Sequence, residues 1–280
     1  MVPLESEIVG QERKLELAFA CLVALALVAL AFAVTKFAPT QDPVADFSAT
    51  PEPIVVFPDF ASISDIDEKK QRFFDFLQDY VRYENSLVSD LRRRLLSYAE
   101  IVGDGVPLSG YEREWVIELA VTYGVEAETK NDQALVKELL LSVDVIPASL
   151  VLAQAANESA WGTSRFALEG NNIFGQWCFV EGCGIIPSRR IEGATHEVKS
   201  FTSIEAAIEG YFLNINSHNL YADFREERAR LRRLGLGLNS IGLVERLKHY
   251  SQRGASYIDE VQTLIYQNNL RRRDRRWVEK

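Results

Sequence analysis

Residues 148–175 read ASLVLAQAANESAWGTSRFALEGNNIFG, and the first half of that stretch decides the fold. From Ala148 onward nearly every residue is apolar or small, the composition of a helix buried on most sides. Pro147 opens it at a position where its missing N–H leaves nothing unpaired, and Gly162 is expected to end it. One carboxylate, Glu158, interrupts the apolar run. At about 100° per residue it shares a face with Val151, Gln154, Ala155, Trp161 and Gly162. No Lys or Arg stands three or four residues away to pair with it. Burying an acid without a cation raises its pKa. An acid that keeps its proton near neutral pH is what a glycosidase uses to protonate a leaving oxygen. The alternative is a solvent-facing side of the helix on which Glu158 does nothing. A loop with Gly and Asn follows from Gly170 to Gly175.

The flanks read as further helices. Asp65 to Tyr98 carries Phe73, Leu77, Tyr80, Leu87, Leu91, Leu95 and Tyr98 three, four or seven apart, one stripe for core packing. GDGVPLSG (Gly103–Gly110) is a loop, and Ser109 with Glu112 forms a capping-box pattern before a helix through Trp115, Leu119 and Tyr123. A shorter helix is expected around Leu135–Leu141. Downstream, Gly184 to Phe201 alternates loosely about Glu192-Gly193, which reads as a β-hairpin. Thr202 and Glu205 read as another capping box, opening a helix with Ile204, Ile208, Tyr211 and Ile215 on one face. Tyr221 to Leu234 is expected to be helical with a strongly basic outer face, and Ser240 and Ser256 to cap two more helices. The expected fold is α+β, mostly α, with a small hairpin lobe.

The N-terminus is organised differently. Residues 1–14 are polar, a cytoplasmic N-terminus, and 15–36 are read as a transmembrane helix or signal anchor. Within it, Leu17–Thr35 is a run of 19 residues without charge, and a bilayer-crossing helix needs about 20 apolar residues. Arg13 and Lys14 favour an N-terminus held inside. A cleaved signal peptide is the rival, since Ala31-Phe32-Ala33 fits a cleavage site. Either reading exports the remainder, to the periplasm or cell envelope on a single-pass inner-membrane anchor, or free after cleavage. Residues 37–64 form a Pro-rich linker with five of the nine prolines, a composition that favours extended chain. A net charge of -9 argues against a nucleic-acid partner. The three histidines and three cysteines have no metal-ligand spacing, and no metal or cofactor is expected. Cys178 and Cys183 close the short CFVEGC loop, either as a local disulfide or as two reduced thiols. Arg271–Arg276 opens a basic tail, 271–280, read as solvated.

LAQAANESAWGTSRFA followed by EGNNIFGQW resembles the motif of glycoside hydrolase family 73, the bacterial glucosaminidases that cut peptidoglycan. The wider run of NNIFGQWCF, GCGIIPSRR, EGATHEV, SFTSIEAAIEGYFLNINSH and YSQRGASYIDEV is similar to the Bax-type branch of that family. The resemblance covers about Asp65 to Asn269. It implies a lysozyme-like fold, with 65–145 as the helical N-terminal part and 146–270 as the catalytic core. It also implies an endo-β-N-acetylglucosaminidase acting on the β-1,4 bonds of peptidoglycan glycan strands, with Glu158 as general acid. Asn172, Phe174 and Gly175 fall on the family's cleft-wall loop, and Tyr257 on its tyrosine near the acid. Tyr211, Tyr221 and Tyr250 fall on further tyrosine positions of the pattern. Gln154 and Trp161, on the acid's helix face, complete the expected substrate-binding set. Trp177 joins Trp161, Phe174, Tyr221 and Tyr257 as an aromatic surface on which a sugar can stack. The chain departs from the pattern at one point. Many members place a Glu a few residues before the hairpin turn, where this chain has Ser188, Arg189 and Arg190. Glu192 is then the first candidate for the second catalytic group, with Glu197 and Glu181 behind it. The alternatives are a lytic transglycosylase using the same Glu158, or a non-catalytic peptidoglycan-binding protein of the envelope.

Overall fold

Asp65 caps a helix of 38 residues, Ile66–Gly103 (α1), its carboxylate accepting the Glu68 amide at 2.7 Å. Acidic Asp67 and Glu68 in the first turn favour the helix dipole. The computed structural model describes Ile54, residues 57–188, 190 and 193–274. These all belong to one unit, 48–280. The charge-free run expected to cross a membrane lies outside the described residues, as do most of the linker, Glu192 and the end of the basic tail. Among the described residues no helix is long and apolar enough to cross a membrane.

The architecture is mostly helical α+β. After α1 come Gly110–Thr122 (α2), Asp132–Ser142 (α3), Ala148–Ser159 (α4) and Arg165–Gly170 (α5). Beyond a small sheet follow Ile204–Ser217 (α6), Ala222–Arg233 (α7), Ser240–Val244 (α8) and Ala255–Gln267 (α9). The buried residues form one core. Helix α4 lies within it: from Ala148 to Ala156 every residue is buried. It is packed by α1 and α9. The α1 stripe holds at Phe73, Leu77, Leu95 and Tyr98, while Leu87 stays 42% exposed. The sheet has strands Trp177–Cys178 (β1), Gly184–Ile185 (β2) and Glu197–Lys199 (β3) in the order β1-β3-β2, all antiparallel. The expected hairpin is β2 and β3, and β1 adds a third strand on the far edge of β3.

Several local expectations are corrected. Helix α4 ends at Ser159, before Gly162, because Ala160, Trp161 and Gly162 all take left-handed backbone at φ 50°, 60° and 75°. Ser203 rather than Thr202 caps α6, accepting the Ala206 amide at 3.2 Å, while Glu205 accepts the Ile54 amide at 2.9 Å. Asn239 and Gly254 stand at the N-caps given to Ser240 and Ser256, each one or two positions late in the sequence reading. The linker ends earlier than expected: Phe57 and Phe60 pack edge-on against Phe76, and Phe60 also against Phe73. The tail reading fails at its start as well. Arg273 is buried over the Phe74 ring and paired with Asp75.

The basic face of α7 is only half external. Arg228 is fully buried and donates to the carbonyls of Leu141, Ser142, Asp144 and Val145 and to Asn216 Oδ1. Asp144, also buried, faces Arg228, Arg232 and Arg92. Burial pushes the Asp144 carboxyl up, but those guanidiniums, Arg228 foremost, overcome it and hold the group below its usual range. The cluster joins α1, α6 and α7 to the chain that leads into α4.

Asp144→Ala is expected to lower unfolding free energy by about 3–5 kcal/mol, because it leaves a buried guanidinium uncompensated. Urea titration measures it. The depressed pKa makes this stabilisation present above the ordinary carboxyl range and lost as pH falls through the folded value. The acid limb of stability should therefore be shallower in the variant.

Candidate active site

Glu158 sits in the last turn of α4, where the helix dipole disfavours negative charge. The termination of that helix sets its position. Ser159 donates its hydroxyl to the Ala155 carbonyl at 2.6 Å and accepts the Gly162 amide at 2.8 Å. Gly162 has no space for a side chain, since an added Cβ would stand within 3 Å of Phe57 and Phe60. At the opposite end Pro147 offers no side-chain cap. Asp274 supplies one from the far end of the chain, accepting the Ser149 amide at 2.8 Å and the Ser149 hydroxyl at 2.6 Å.

Four tyrosines gather at the acid: Tyr211 from α6, Tyr221 before α7, Tyr250 after α8 and Tyr257 from α9. Burial first, and the Glu158 charge with it, pushes all four hydroxyls up. Tyr211 and Tyr257 are fully buried. Between them lies Gln154, also fully buried: Tyr211 donates to Gln154 Oε1 at 2.5 Å, and Gln154 Nε2 donates to the Tyr257 hydroxyl at 2.7 Å. Tyr250 stacks on Tyr257 with ring centroids 5.5 Å apart and donates to the Phe174 carbonyl at 2.9 Å.

The second wall is the loop Asn171–Gln176. Asn172 is buried and its side chain makes four hydrogen bonds. Its amide nitrogen donates to the carbonyls of Gln176 and Lys199, and its oxygen accepts the Phe174 and Gln176 amides. The bond to Lys199 ties the loop to β3. Phe174 stacks on Tyr211 at 4.2 Å. Gly175, at φ +65°, passes so close that a Cβ there would lie 3.2 Å from Glu158 Oε2.

Burial raises the Glu158 pKa, opposed by the Tyr257 hydroxyl and by the positive charge of Arg253. Its Oε1 is enclosed without a hydrogen-bond partner. A raised carboxyl does not by itself mark a site. Glu84, in a hollow of about 450 Å³ with Glu209, is pushed up to about 7 by burial and by the Glu209 charge. Glu158 differs in the tyrosine shell and the loop built around it.

The other expected site residues divide. Tyr211, Tyr257 and Phe174 are too buried to stack on a sugar, and act as the frame of the acid. Trp161 stands outside the tyrosine group, its ring edge-on to Phe73 and Phe74 and under the Lys70 ammonium. Trp177 is half exposed on β1, edge-on to His196. Cys178 and Cys183 form a disulfide. Glu197 lies beside it, 3% exposed, with its two oxygens accepting the Gly182 and Gly184 amides at 3.1 and 2.8 Å. Those amides hold its carboxyl below the usual range. Glu197 therefore fastens the disulfide loop, and Glu181 is exposed in that loop. Arg253 is the residue the helix-face argument missed. It arrives from the segment before α9, over the Tyr257 ring and paired with Glu260, and spacing along α4 carries no signal for it.

Residues 133–270 match the family model described as mannosyl-glycoprotein endo-β-N-acetylglucosaminidase, the glucosaminidase family. The chain is also 30% identical over 214 residues to a protein named Protein bax of Escherichia coli strain K12, covering 76% of this chain and 74% of that one. It belongs to the Bax-type glucosaminidase family. The match with the family model takes in α4, the sheet and every tyrosine of the site. No solved structure matches the chain. Membership of that family supports a glycosidase.

Gly175→Ala is expected to cost about 1–2 kcal/mol for the left-handed backbone alone, plus displacement of Glu158. Gly105→Ala is the control, since Gly105 is also left-handed at φ +79° with nothing within 4 Å of its added Cβ. Urea unfolding should show the larger loss at Gly175.

Proposed function

We propose that the protein is a peptidoglycan hydrolase, an endo-β-N-acetylglucosaminidase in which Glu158 is the general acid. The observation that carries this reading is the Glu158 carboxyl itself: raised by burial, ringed by four tyrosines and faced by the backbone of Gly175. Family membership supports the substrate class. Glu158 passes its proton to the glycosidic oxygen as the bond from that oxygen to C1 of N-acetylglucosamine breaks. Water then adds its hydroxyl at C1, its other proton returning to the Glu158 carboxylate, and leaves a reducing N-acetylglucosamine end. Trp177 and the disulfide-held loop flank the substrate on the sheet side.

A second reading follows from the carboxylates near Glu158. Among the described residues, the carboxylate whose charge reaches it is Glu260, which is paired with Arg253, while Glu197 is committed to the loop amides. Glu192, the other candidate, lies outside the described residues, and a mechanism needing one protein carboxylate is the second reading. In one such mechanism the substrate's own N-acetyl group assists. In the other the muramyl 6-hydroxyl attacks its own C1 and gives a 1,6-anhydro end, as a lytic transglycosylase does. The charge-free run within 15–36 supports a single-pass inner-membrane anchor with the catalytic unit in the periplasm, and the disulfide fits an oxidising compartment.

Purified sacculi digested with the full chain, and the products read by mass spectrometry, test the reading. Reducing N-acetylglucosamine ends are expected; 1,6-anhydro-muramyl ends would replace hydrolysis by the transglycosylase. Glu158→Gln should fold with unchanged circular dichroism and cut about 10²–10⁴-fold more slowly. Undiminished cutting by that variant removes Glu158 from the mechanism. Activity should fall as pH rises through the raised Glu158 pKa, because only the protonated form donates.

A further inference from the structure

Away from Glu158, three helices enclose a second cavity. Tyr80, Tyr83, Glu84, Leu87 and Leu91 fall on one face of α1. Glu205, Ile208, Glu209 and Phe212 fall on one face of α6, and Leu119 and Tyr123 close the gap from the end of α2. Between them lies a hollow of about 450 Å³ with mostly apolar walls, a size that suits a small ligand. None of the four tyrosines around Glu158 lines it. We infer that this hollow is a binding site for an organic ammonium ion, a primary amine carried on an apolar stem.

Charge complementarity points to a cation. Glu84, Glu205 and Glu209 line the hollow, and no Lys, Arg or His does. Glu205 and Glu209 stand four apart on one helix, where like charges repel. One Glu205 oxygen accepts the Ile54 amide, and the other, Oε2, is enclosed without a hydrogen-bond partner. Acids withdrawn into apolar surroundings are normally paired or hydrogen-bonded. The walls offer these three no counter-charge, and a bound cation matches them. The rest of the lining selects among cations. A metal ion needs several oxygens converging on one point, and among the described residues the three carboxylates form no such group. Tyrosine rings attract an ammonium over their faces, and Tyr80, Tyr83 and Tyr123 contribute three. The leucines and Phe212 suit the methylenes of a stem, and Leu87 and Leu213 continue that apolar path to the exposed rim.

Glu84 sets the response to pH. The groups that face it are Tyr80 and Tyr83 from α1, Tyr123 from the end of α2, and Glu205 and Glu209 from α6. Burial and then the Glu209 charge push its carboxyl up to about 7. Burial and then the Glu84 charge push Tyr123 up to about 12, so that hydroxyl stays neutral. An ammonium is held by ionised Glu84, so binding strengthens as pH rises through the Glu84 value.

Isothermal titration of the full chain with n-pentylamine, in an amine-free buffer, tests the site. Saturable binding is expected at pH 8, where the ammonium and Glu84 are both charged. At pH 6 the affinity should fall about tenfold, following the ionised fraction of Glu84. The same stem without charge, n-pentanol, should bind about tenfold more weakly or not at all. Glu84→Gln should weaken n-pentylamine binding about tenfold or more at pH 8 and flatten the pH dependence. Glu209→Gln, at an exposed position, should weaken it about two- to fivefold, and carries the test if Glu84→Gln does not fold. Nα-acetyl-lysine N-methylamide separates two sources of the ammonium. Its binding assigns a lysine-type side chain of a peptide, and binding of n-pentylamine alone assigns a free amine. The inference is overturned by no saturable binding of n-pentylamine, or by equal binding of n-pentanol. Unchanged affinity in a folded Glu84→Gln or in Glu209→Gln, or displacement of n-pentylamine by equimolar calcium, overturns it as well. The site does not use Glu158, so these outcomes are separate from the cutting of sacculi.

Discussion

Withdrawing the Glu158 carboxyl from water favours its protonated form, and the Tyr257 hydroxyl and Arg253 charge hold that preference in check. In the proposed mechanism Glu158 must both give up a proton and recover it, and such opposition serves that. Burial alone would leave an acid that never ionises, and full pairing would leave a carboxylate that never carries a proton. The surrounding structure keeps both influences at fixed distances. Tyr257 is itself anchored by Gln154 below and by the stacked Tyr250 ring beside it.

The scaffold serves that balance from three directions. The Asp144–Arg228 cluster locks the entry into α4, and Asp274 caps its first turn. The left-handed exit at Ala160–Gly162, clamped by Ser159, stops the helix just beyond the acid. Asn172 then binds the Phe174–Gly175 loop to β3, whose own neighbour loop is held by the disulfide and Glu197. The sheet is only seven residues in its three strands, so these side-chain ties, more than ladder hydrogen bonds, fix its place against the helices.

Much of this was legible in the sequence where the signal is local. Helical spacing showed α1 and α4, the Ser109–Glu112 capping box formed as expected, and an acid in an apolar helix was visible without any comparison. The motif positions of Tyr211, Tyr221, Tyr250 and Tyr257 do meet at Glu158. Contacts made across the fold had no local signal. Arg228 reads as one of many arginines on a surface helix until Asp144 is seen opposite it. Asp274 reads as part of a tail until it caps a helix 125 residues earlier. Glu197 reads as a candidate acid until two amides occupy it. The buried tyrosines show the same limit: an aromatic residue in a site motif can frame the acid instead of touching the sugar.

A crystal structure of the Glu158→Gln variant soaked with an N-acetylglucosamine–N-acetylmuramic acid oligomer tests the central claim most directly. The account expects the scissile glycosidic oxygen within hydrogen-bond distance of the side chain at position 158, between the Gly175 backbone and the tyrosine cluster. An oligomer seated instead in the Glu84–Glu209 hollow, or along Trp161, with position 158 untouched, would contradict it.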